Sequence, residues 1–346
     1  MRELIRVLVA EDSPTLREFL VHILSAEPDI QVIATAVDGV QAAEAVARLR
    51  PDVVTMDIHM PRLDGFAATR RIMEDHPTPI VIVSSTMSDQ VAATFRAIEA
   101  GALAFVRRPH GIGHRDHAAD AGELVQTVRL MAEVKVVRRW RKSGIGSRRI
   151  APAAASAEAG PGKRIVAIGA STGGPIALQT LLKGLPPDFS APLVIVQHIS
   201  PGFVQGFVDW LGGSSSLPVH LGVHGEPLLP GHAYLAPDGS HMGVTADTVV
   251  LDPGHAENGS RPAVSYLFRS VARIFGANAV GVLLSGMGAD GAAELKALRQ
   301  LGAVTVAQSR ESSVVHGMPG VAIDLGAAGH VLDPVEIPKL LARWAP

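Results

Sequence analysis

The chain has 346 residues, enough for two domains that each bury a core of their own. Its 31 Lys and Arg nearly balance 33 Asp and Glu, so a net charge of −2 gives no overall electrostatic case for nucleic acid or an anionic membrane. Cysteine is absent, which excludes disulfides and thiolate metal sites and fits a reducing compartment.

The opening run "MRELIRVLVAEDS" is too short in apolar residues for a signal peptide. No stretch approaches the roughly 20 apolar residues of a membrane-spanning helix. The expectation is a soluble, cytoplasmic protein with no nucleic-acid partner and no direct membrane insertion.

Over residues 1–108, short β-branched runs alternate with amphipathic stretches. "IRVLVA" (5–10), "QVIATA" (31–36), "DVVTM" (52–56), "IVIVS" (80–84) and "ALAFV" (102–106) read as strands buried on both faces. The stretches between them carry apolar residues at helical spacing, and Ser13-Pro14 reads as an N-cap followed by proline in the first turn. Five strands alternating with helices predict a doubly wound parallel sheet.

Ligands of such sheets bind at the carboxyl ends of the strands, near the point where strand order reverses. Glu11 and Asp12 follow the first strand and Asp57 the third. Converging carboxylates repel one another, and an all-oxygen pocket selects a hard divalent ion such as Mg²⁺. Ser84 ends the fourth strand and "FVRRP" (105–109) the fifth, placing a hydroxyl and a cation on the same rim, as a phosphoryl group on Asp57 would require. This pattern resembles the receiver domain of two-component response regulators. The resemblance implies a flavodoxin-like (βα)5 fold, Asp57 as phosphoacceptor, Mg²⁺ held by Glu11, Asp12 and Asp57, and Ser84 and Phe105 as switch residues coupling phosphorylation to the distal face. Arg108 departs from it, since receivers usually carry lysine there, and a planar guanidinium does not freely replace an ammonium.

The stretch 123–142 reads as a long helix that ends basic, with Arg138, Arg139, Arg141 and Lys142, followed by Arg148 and Arg149. We read that cluster as a solvated helix end and linker. Residues 143–164 are rich in Gly, Ala, Ser and Pro, which is linker composition. Strand–helix alternation resumes at about 164 in "RIVAIGA", "PLVIVQH", "AVGVLLSG" and "AVTVAQ", while "HAYLAPDGSHMGVTADTVVLD" (232–252) reads as an antiparallel hairpin inserted in a second α/β domain.

In "VAIGASTGGP" (166–175), the serine of G-x-S-x-G sits where a strand meets a helix. That turn suits a nucleophile or a phosphate loop, but neither G-x-x-x-x-G-K-[ST] nor G-x-G-x-x-G is present. Serine needs a base and a carboxylate to orient it. His198 ends the next strand in "LVIVQHIS" and Asp290 follows "VGVLLSGMGAD", so all three fall at one carboxyl edge. "AIGASTGGP", "QHISPGF", "LPGHAYLAPDGSHM", "RPAVSYLFRSVA", "LLSGMGADGA" and "HGMPGVAI" resemble the catalytic domain of the chemotaxis protein-glutamate methylesterases, the CheB family.

That resemblance implies Ser171 as nucleophile, His198 as base, Asp290 as orienter, and a backbone N–H at Met287 as oxyanion donor, to which we add Thr172. It departs at Ser285, where threonine is common, and at Ser265, where an acid is common. The implied activity is hydrolysis of glutamate γ-methyl esters on chemoreceptor cytoplasmic domains, with deamidation of receptor glutamines, and no cofactor beyond the receiver's Mg²⁺. A chemotaxis histidine kinase is the implied phosphate source. The implied domains are a receiver over 1–122, a linker of helix then disordered chain over 123–163, and a catalytic domain over 164–346.

Other readings stay beside these. A receiver-controlled transcription regulator would need a helix-turn-helix, which the strands and glycine loops of the second half do not suggest. A non-catalytic receptor adaptor would keep the fold without the chemistry. His110, His114 and His117 have a spacing open to metal ligation but read as solvent-exposed in a glycine-containing joint, and His220 and His224 lie where Pro218, Gly222 and Gly225 argue against a helix. His316 reads equally as an active-site neighbour or loop packing, and Arg261 and Arg269 as receptor contacts or helix caps.

Overall fold

The computed structural model describes residues 4–84, 88–134 and 163–345. Most of the expected linker, with Arg138, Arg139, Arg141, Lys142, Arg148 and Arg149, lies outside the described residues.

The N-terminal half repeats strand and helix five times: β1 (Ile5–Ala10), α1 (Pro14–Ser25), β2 (Ile30–Ala36), α2 (Gly39–Leu49), β3 (Val53–Met56), α3 (Gly65–Asp75), β4 (Ile80–Ser84), α4 (Ser88–Ala100), β5 (Ala104–Arg107) and α5 (His117–Glu133). The strands are parallel in the order β2-β1-β3-β4-β5. Both faces are apolar because alternate residues serve separate cores: in β1, Leu8 and Ala10 point to one, Val7 and Val9 to the other. Ser13 caps α1 through its hydroxyl, with Pro14 in the first turn, as the sequence predicts.

The helix expected over 123–142 instead begins at His117, and its described part ends at Glu133. Its buried residues Asp120, Leu124, Val125, Val128 and Met131 form one helical stripe against the sheet, so the expected boundary at 122 cuts through an element of the first domain. Gly122, exposed in the second turn of the helix, hides this start from propensity alone.

The C-terminal half runs β6 (Ile165–Ala170), α6 (Gly174–Lys183), β7 (Leu193–Gln197), α7 (Val204–Gly212), β8 (Val219–Leu221), β9 (Ala233–Leu235), β10 (His241–Val244), β11 (Val249–Asp252), α8 (Val264–Phe275), β12 (Ala279–Leu283), α9 (Ala292–Gln300), β13 (Val304–Gln308), α10 (Met318–Asp324), β14 (His330–Leu332) and α11 (Ile337–Trp344). Seven parallel strands form one sheet in the order β14-β13-β12-β6-β7-β9-β8. Helices α6, α7 and α11 cover one face; α8, α9 and α10 cover the other. Strand order reverses between β6 and β12, which places a crevice beyond their carboxyl ends.

The hairpin expected over 232–252 is half right. β10 and β11 pair antiparallel, but Ala233–Leu235 is β9 of the main sheet, parallel to both β7 and β8. The Asp238-Gly239 turn therefore leads out of the sheet, whereas residues 245–248 close the hairpin.

The two halves meet through aromatic side chains. Phe95 of α4 stacks on Phe207 and Trp210 of α7 at 5.3 Å each and belongs to the core of the second domain. Glu99 Oε1 accepts hydrogen bonds from Trp210 Nε1 (2.9 Å) and Gln179 Nε2 (3.1 Å), fastening α4 to α7 and α6.

Candidate active site

Ser171 stands at the carboxyl end of β6, on a turn fixed from three directions. Its N–H donates to Ser285 O (3.0 Å), and its carbonyl accepts from Gly174 N–H (2.8 Å) and Gln197 Nε2 (2.8 Å). Ser285 Oγ donates to Thr172 O at 2.7 Å, so the hydroxyl at this position pins the Ser171 turn to the end of β12. Gly173 has φ 78, and a Cβ there would stand 2.5 Å from Val314 and 2.7 Å from Ser285 Oγ. Conformation and space both demand glycine.

His198 follows β7 directly, and its N–H donates to Ala170 O (2.9 Å), so it sits beside Ser171 across adjacent strand ends. Its Nε2 lies 3.0 Å from Asp290 Oδ2, an ion-pair distance reached off the line of a straight N–H···O bond. No hydrogen bond joins Ser171 Oγ to His198 among the described residues; such contacts are often long before substrate binds.

Asp290 is buried, and Val264 N–H (2.7 Å, to Oδ2) and Ser265 N–H (3.0 Å, to Oδ1) donate to it from the first turn of α8. A carboxylate at a helix N-terminus meets free N–H groups and the positive end of the dipole. Burial opposes its ionisation, yet His198, Ser265 and Val264 outweigh that and hold the carboxyl well below its usual range.

Beyond β12 the chain passes close behind the serine. A Cβ on Gly286 would stand 2.3 Å from Met318 Sδ and 2.8 Å from Ser171 Cβ. Gly286 is tied to the 315–318 segment by three backbone hydrogen bonds, leaving the N–H groups of Met287 and Thr172 without an acceptor among the described residues. His316 forms the partner bridge to Gly286 while its ring meets Ser313 Oγ at 3.3 Å, so it packs a loop at the edge of the site.

A cleft of about 1690 Å³ joins this site to the first domain and is lined by residues of both, including Ser171, His198, Met287, Phe105 and Gln126. Two contacts from α5 sequence reasoning did not find. Glu123 Oε1 accepts from Ser200 Oγ at 2.5 Å, and Gln126 Nε2 donates to Met287 Sδ at 3.9 Å. Phe105 points to this interface, 5.0 Å from Phe203 and 5.4 Å from Phe95.

In the first domain Glu11, Asp12 and Asp57 each offer an oxygen within 4.8 Å of the others, at the reversal between β1 and β3. Burial, then the charge of Asp57, pushes the Glu11 carboxyl up to about 7, and burial also raises Asp57 against the pull of Arg108. Glu11 Oε2 is buried with no hydrogen-bond partner. Hard oxygens short of positive charge fit a divalent cation such as Mg²⁺. Arg108 Nη2 lies 3.0 Å from Asp57 Oδ1 and 3.7 Å from Glu11 Oε2, so arginine at this position reaches the phosphoacceptor candidate directly. Ser84 is buried at the end of β4, and its carbonyl accepts from Arg108 N–H at 2.7 Å.

The expected solvent-exposed histidines are not all free. His110 Nδ1 meets the buried Asp120 at 2.6 Å, and His117 Nδ1 meets His110 O at 2.7 Å; His114 is exposed, with its Nδ1 accepting from Asp116 N–H at 3.2 Å and its ring stacked on that of His110. His220 lies in β8, as the absence of a helix there required, with Nδ1 3.1 Å from Glu226.

Fold and site together define a response-regulator receiver joined to a second α/β domain, a hydrolase with a serine at its sheet edge. The family description "CheB methylesterase" matches residues 166–341, and "Response regulator receiver domain" matches residues 7–115. The chain belongs to the CheB methylesterase family.

It is 56% identical over 346 residues to a protein-glutamate methylesterase/protein-glutamine glutaminase of Geobacter metallireducens, with 99% of each chain covered. A protein of the same description from Nitrosospira multiformis is 56% identical over 348 residues, covering 98% of this chain and 97% of its own. Among solved structures, the CheB methylesterase catalytic domain of Thermotoga maritima superposes with a TM-score of 0.51 at 36% identity, covering 52% of this chain and 98% of its own. The half expected to bind DNA in the transcription-regulator alternative is the half that matches the methylesterase family. Among the described residues, no helix is long and apolar enough to cross a membrane.

Proposed function

We propose that this chain is a phosphorylation-controlled protein-glutamate methylesterase that removes methyl groups from glutamate γ-esters of chemoreceptor cytoplasmic domains and deamidates receptor glutamines. The observation that supports it most is the meeting of Ser171, His198 and Asp290 on one sheet edge, with His198 Nε2 3.0 Å from a carboxylate held at a helix N-terminus.

In this reading His198 keeps its Nε2 proton toward Asp290, leaving Nδ1 to take the proton of Ser171 Oγ as that oxygen attacks the ester carbonyl. The N–H groups of Met287 and Thr172 hold the oxyanion. His198 then gives its proton to the departing methoxide, releasing methanol, and a water repeats the sequence on the acyl-serine to free the glutamate carboxylate. A glutamine side chain meets the same nucleophile; its C–N bond breaks instead, and the amide nitrogen takes the proton from His198 and leaves as ammonia.

Asp57 accepts the phosphoryl group from a chemotaxis histidine kinase. Glu11, Asp12 and Asp57 would hold Mg²⁺, which offsets negative charge between the carboxylates and the incoming phosphoryl oxygens. Arg108 adds a fixed positive charge, and Ser84 and Phe105 carry the change outward. The receiver extends through Glu133, the linker follows, and the catalytic domain begins near Lys163. Cytoplasmic location follows from the reaction's substrates and kinase.

Phosphorylation acts by loosening α4, β5 and α5 from the catalytic domain, where Gln126 touches the oxyanion residue Met287. The decisive experiment measures methanol release from a methylated receptor fragment by the wild type and by Ser171→Ala, with and without a small phosphodonor. Release by the variant equal to wild type overturns the nucleophile, and equal release with and without donor overturns the switch.

A further inference from the structure

Polar groups that the reaction above leaves unused meet behind Asp290. Ser265, the second residue of α8, is 3% exposed, and its hydroxyl lies 2.9 Å from Glu294 Oε2, 3.0 Å from Gly291 N and 3.2 Å from Asn258 Nδ2. The partners fix the direction of every bond. The Gly291 N–H can only donate and a carboxylate only accepts, so the hydroxyl's single proton goes to Glu294. Its lone pairs then face Gly291 and Asn258, and the Asn258 amide must present its NH₂ group. Asp290 Oδ1, also an acceptor, takes the other N–H of that group at 3.2 Å. The amide is thus oriented from two sides, with no ambiguity between its oxygen and nitrogen.

Asn258 also belongs to a loop that lines the cleft through Gly259, Ser260, Arg261 and Pro262. Its own φ of 52 is left-handed, and the loop is held at both ends. Glu257 and Ser260 exchange backbone hydrogen bonds (3.0 and 2.8 Å), Arg269 pairs with Glu257 at 2.6 Å, and Arg261 Nη1 donates to Pro253 O and Gly254 O. Both arginines left open by the sequence are occupied inside this lip.

We propose that Asn258 is a positioning residue for the hydrolysis. Its amide holds Oδ1 of Asp290 so that Oδ2 faces His198, and it ties that alignment to the lip over which the substrate chain passes. The backbone N–H groups of Val264 and Ser265 hold one carboxylate oxygen each; Asn258 adds a second, side-chain bond to Oδ1 and links it to the lip. The inference rests on the assignment of Asp290 as the orienting carboxylate.

The test uses the full chain and methanol release from a methylated receptor fragment. Asn258→Gly keeps the left-handed backbone accessible and removes only the amide. Asn258→Asp keeps the shape and replaces a donor with an acceptor. We expect kcat to fall about 10- to 100-fold in each, the scale of one hydrogen bond to a charged group, with KM within about twofold. The acid limb of the kcat–pH profile should also shift, because the carboxylate that faces the general base is no longer held in the same alignment. An unmoved acid limb, or a change confined to KM, assigns Asn258 to loop anchoring alone and overturns the proposal. If Asn258→Gly does not fold, as read from its thermal midpoint, Asn258→Asp carries the same measurement. Ser171→Ala, run in parallel, separates the two failures: wild-type release by that variant removes the catalytic assignment itself, whereas an inactive Ser171→Ala beside fully active Asn258 variants removes only this inference.

Discussion

The ring of Phe105 rests 5.0 Å from that of Phe203, joining β5, which Arg108 follows, to the N-cap of α7. Phe105 also meets Phe95 edge-on, and Phe95 stacks on Phe207 and Trp210, so five aromatic side chains form the joint between receiver and catalytic domain. Each such pair adds roughly 0.5–1.5 kcal/mol beyond its buried area. Phe105→Ala should therefore weaken docking and raise basal methanol release several-fold, while reducing the further gain from a phosphodonor. Basal release unchanged in a folded variant would show that this joint does not restrain activity.

Arg108 places its guanidinium 3.0 Å from Asp57 and 3.7 Å from Glu11 in the acidic pocket. Arg108→Ala leaves two buried carboxylates facing each other. Removing one partner of a buried pair costs about 3–5 kcal/mol, less here because the arginine is partly exposed. The receiver's thermal midpoint should fall at neutral pH, and added Mg²⁺ should restore more of it in the variant than in the wild type. A midpoint insensitive to Mg²⁺ in both proteins would argue against the carboxylates as an ion site.

Much of this arrangement was legible in the sequence, and the reason is local. Ser171, His198, Asp290 and Asp57 follow apolar runs, and a residue that follows a buried parallel strand lies at the functional edge of its sheet. The contacts between domains were not legible, because Gln126 and Met287 are 161 positions apart and no local pattern records their meeting. β9 was misplaced for a different reason: three alternating residues read alike in parallel and antiparallel pairing, and only the neighbours β7 and β8 decide. Ser265 stood out in the sequence as a departure from the family pattern, yet its bond to Glu294, 29 residues on, needed the fold.

Glu123 makes docking sensitive to pH. Burial against the catalytic domain raises its carboxyl, and Asp120 adds to this while the bond from Ser200 and the charge of Arg107 oppose it. The docked form thus binds a proton more tightly than an open form with Glu123 in water. Its contribution to docking is fully present below the open-form pKa and is lost as pH rises through the docked one. Basal activity of the wild type relative to Glu123→Gln should rise from mildly acidic to neutral pH, the ratio cancelling the pH dependence of the reaction itself, which is common to both. A flat ratio would remove Glu123 from the control of docking.

Gly286 offers the sharpest check on the oxyanion side. Its backbone passes so close behind Ser171 that a Cβ would lie 2.8 Å from Ser171 Cβ and 2.3 Å from Met318 Sδ. The methionine thioether can turn away, but Ser171 is fixed by its bonds to Ser285, Gly174 and Gln197. Gly286→Ala must therefore push the Met287 N–H away from the serine, at a stability cost of about 1–3 kcal/mol for overpacking. Loss of one oxyanion donor costs about 10²–10³ in kcat, so activity should fall by that factor while the protein stays folded and still accepts phosphate. A fully active Gly286→Ala enzyme would mean that the Met287 N–H does not meet the developing negative charge.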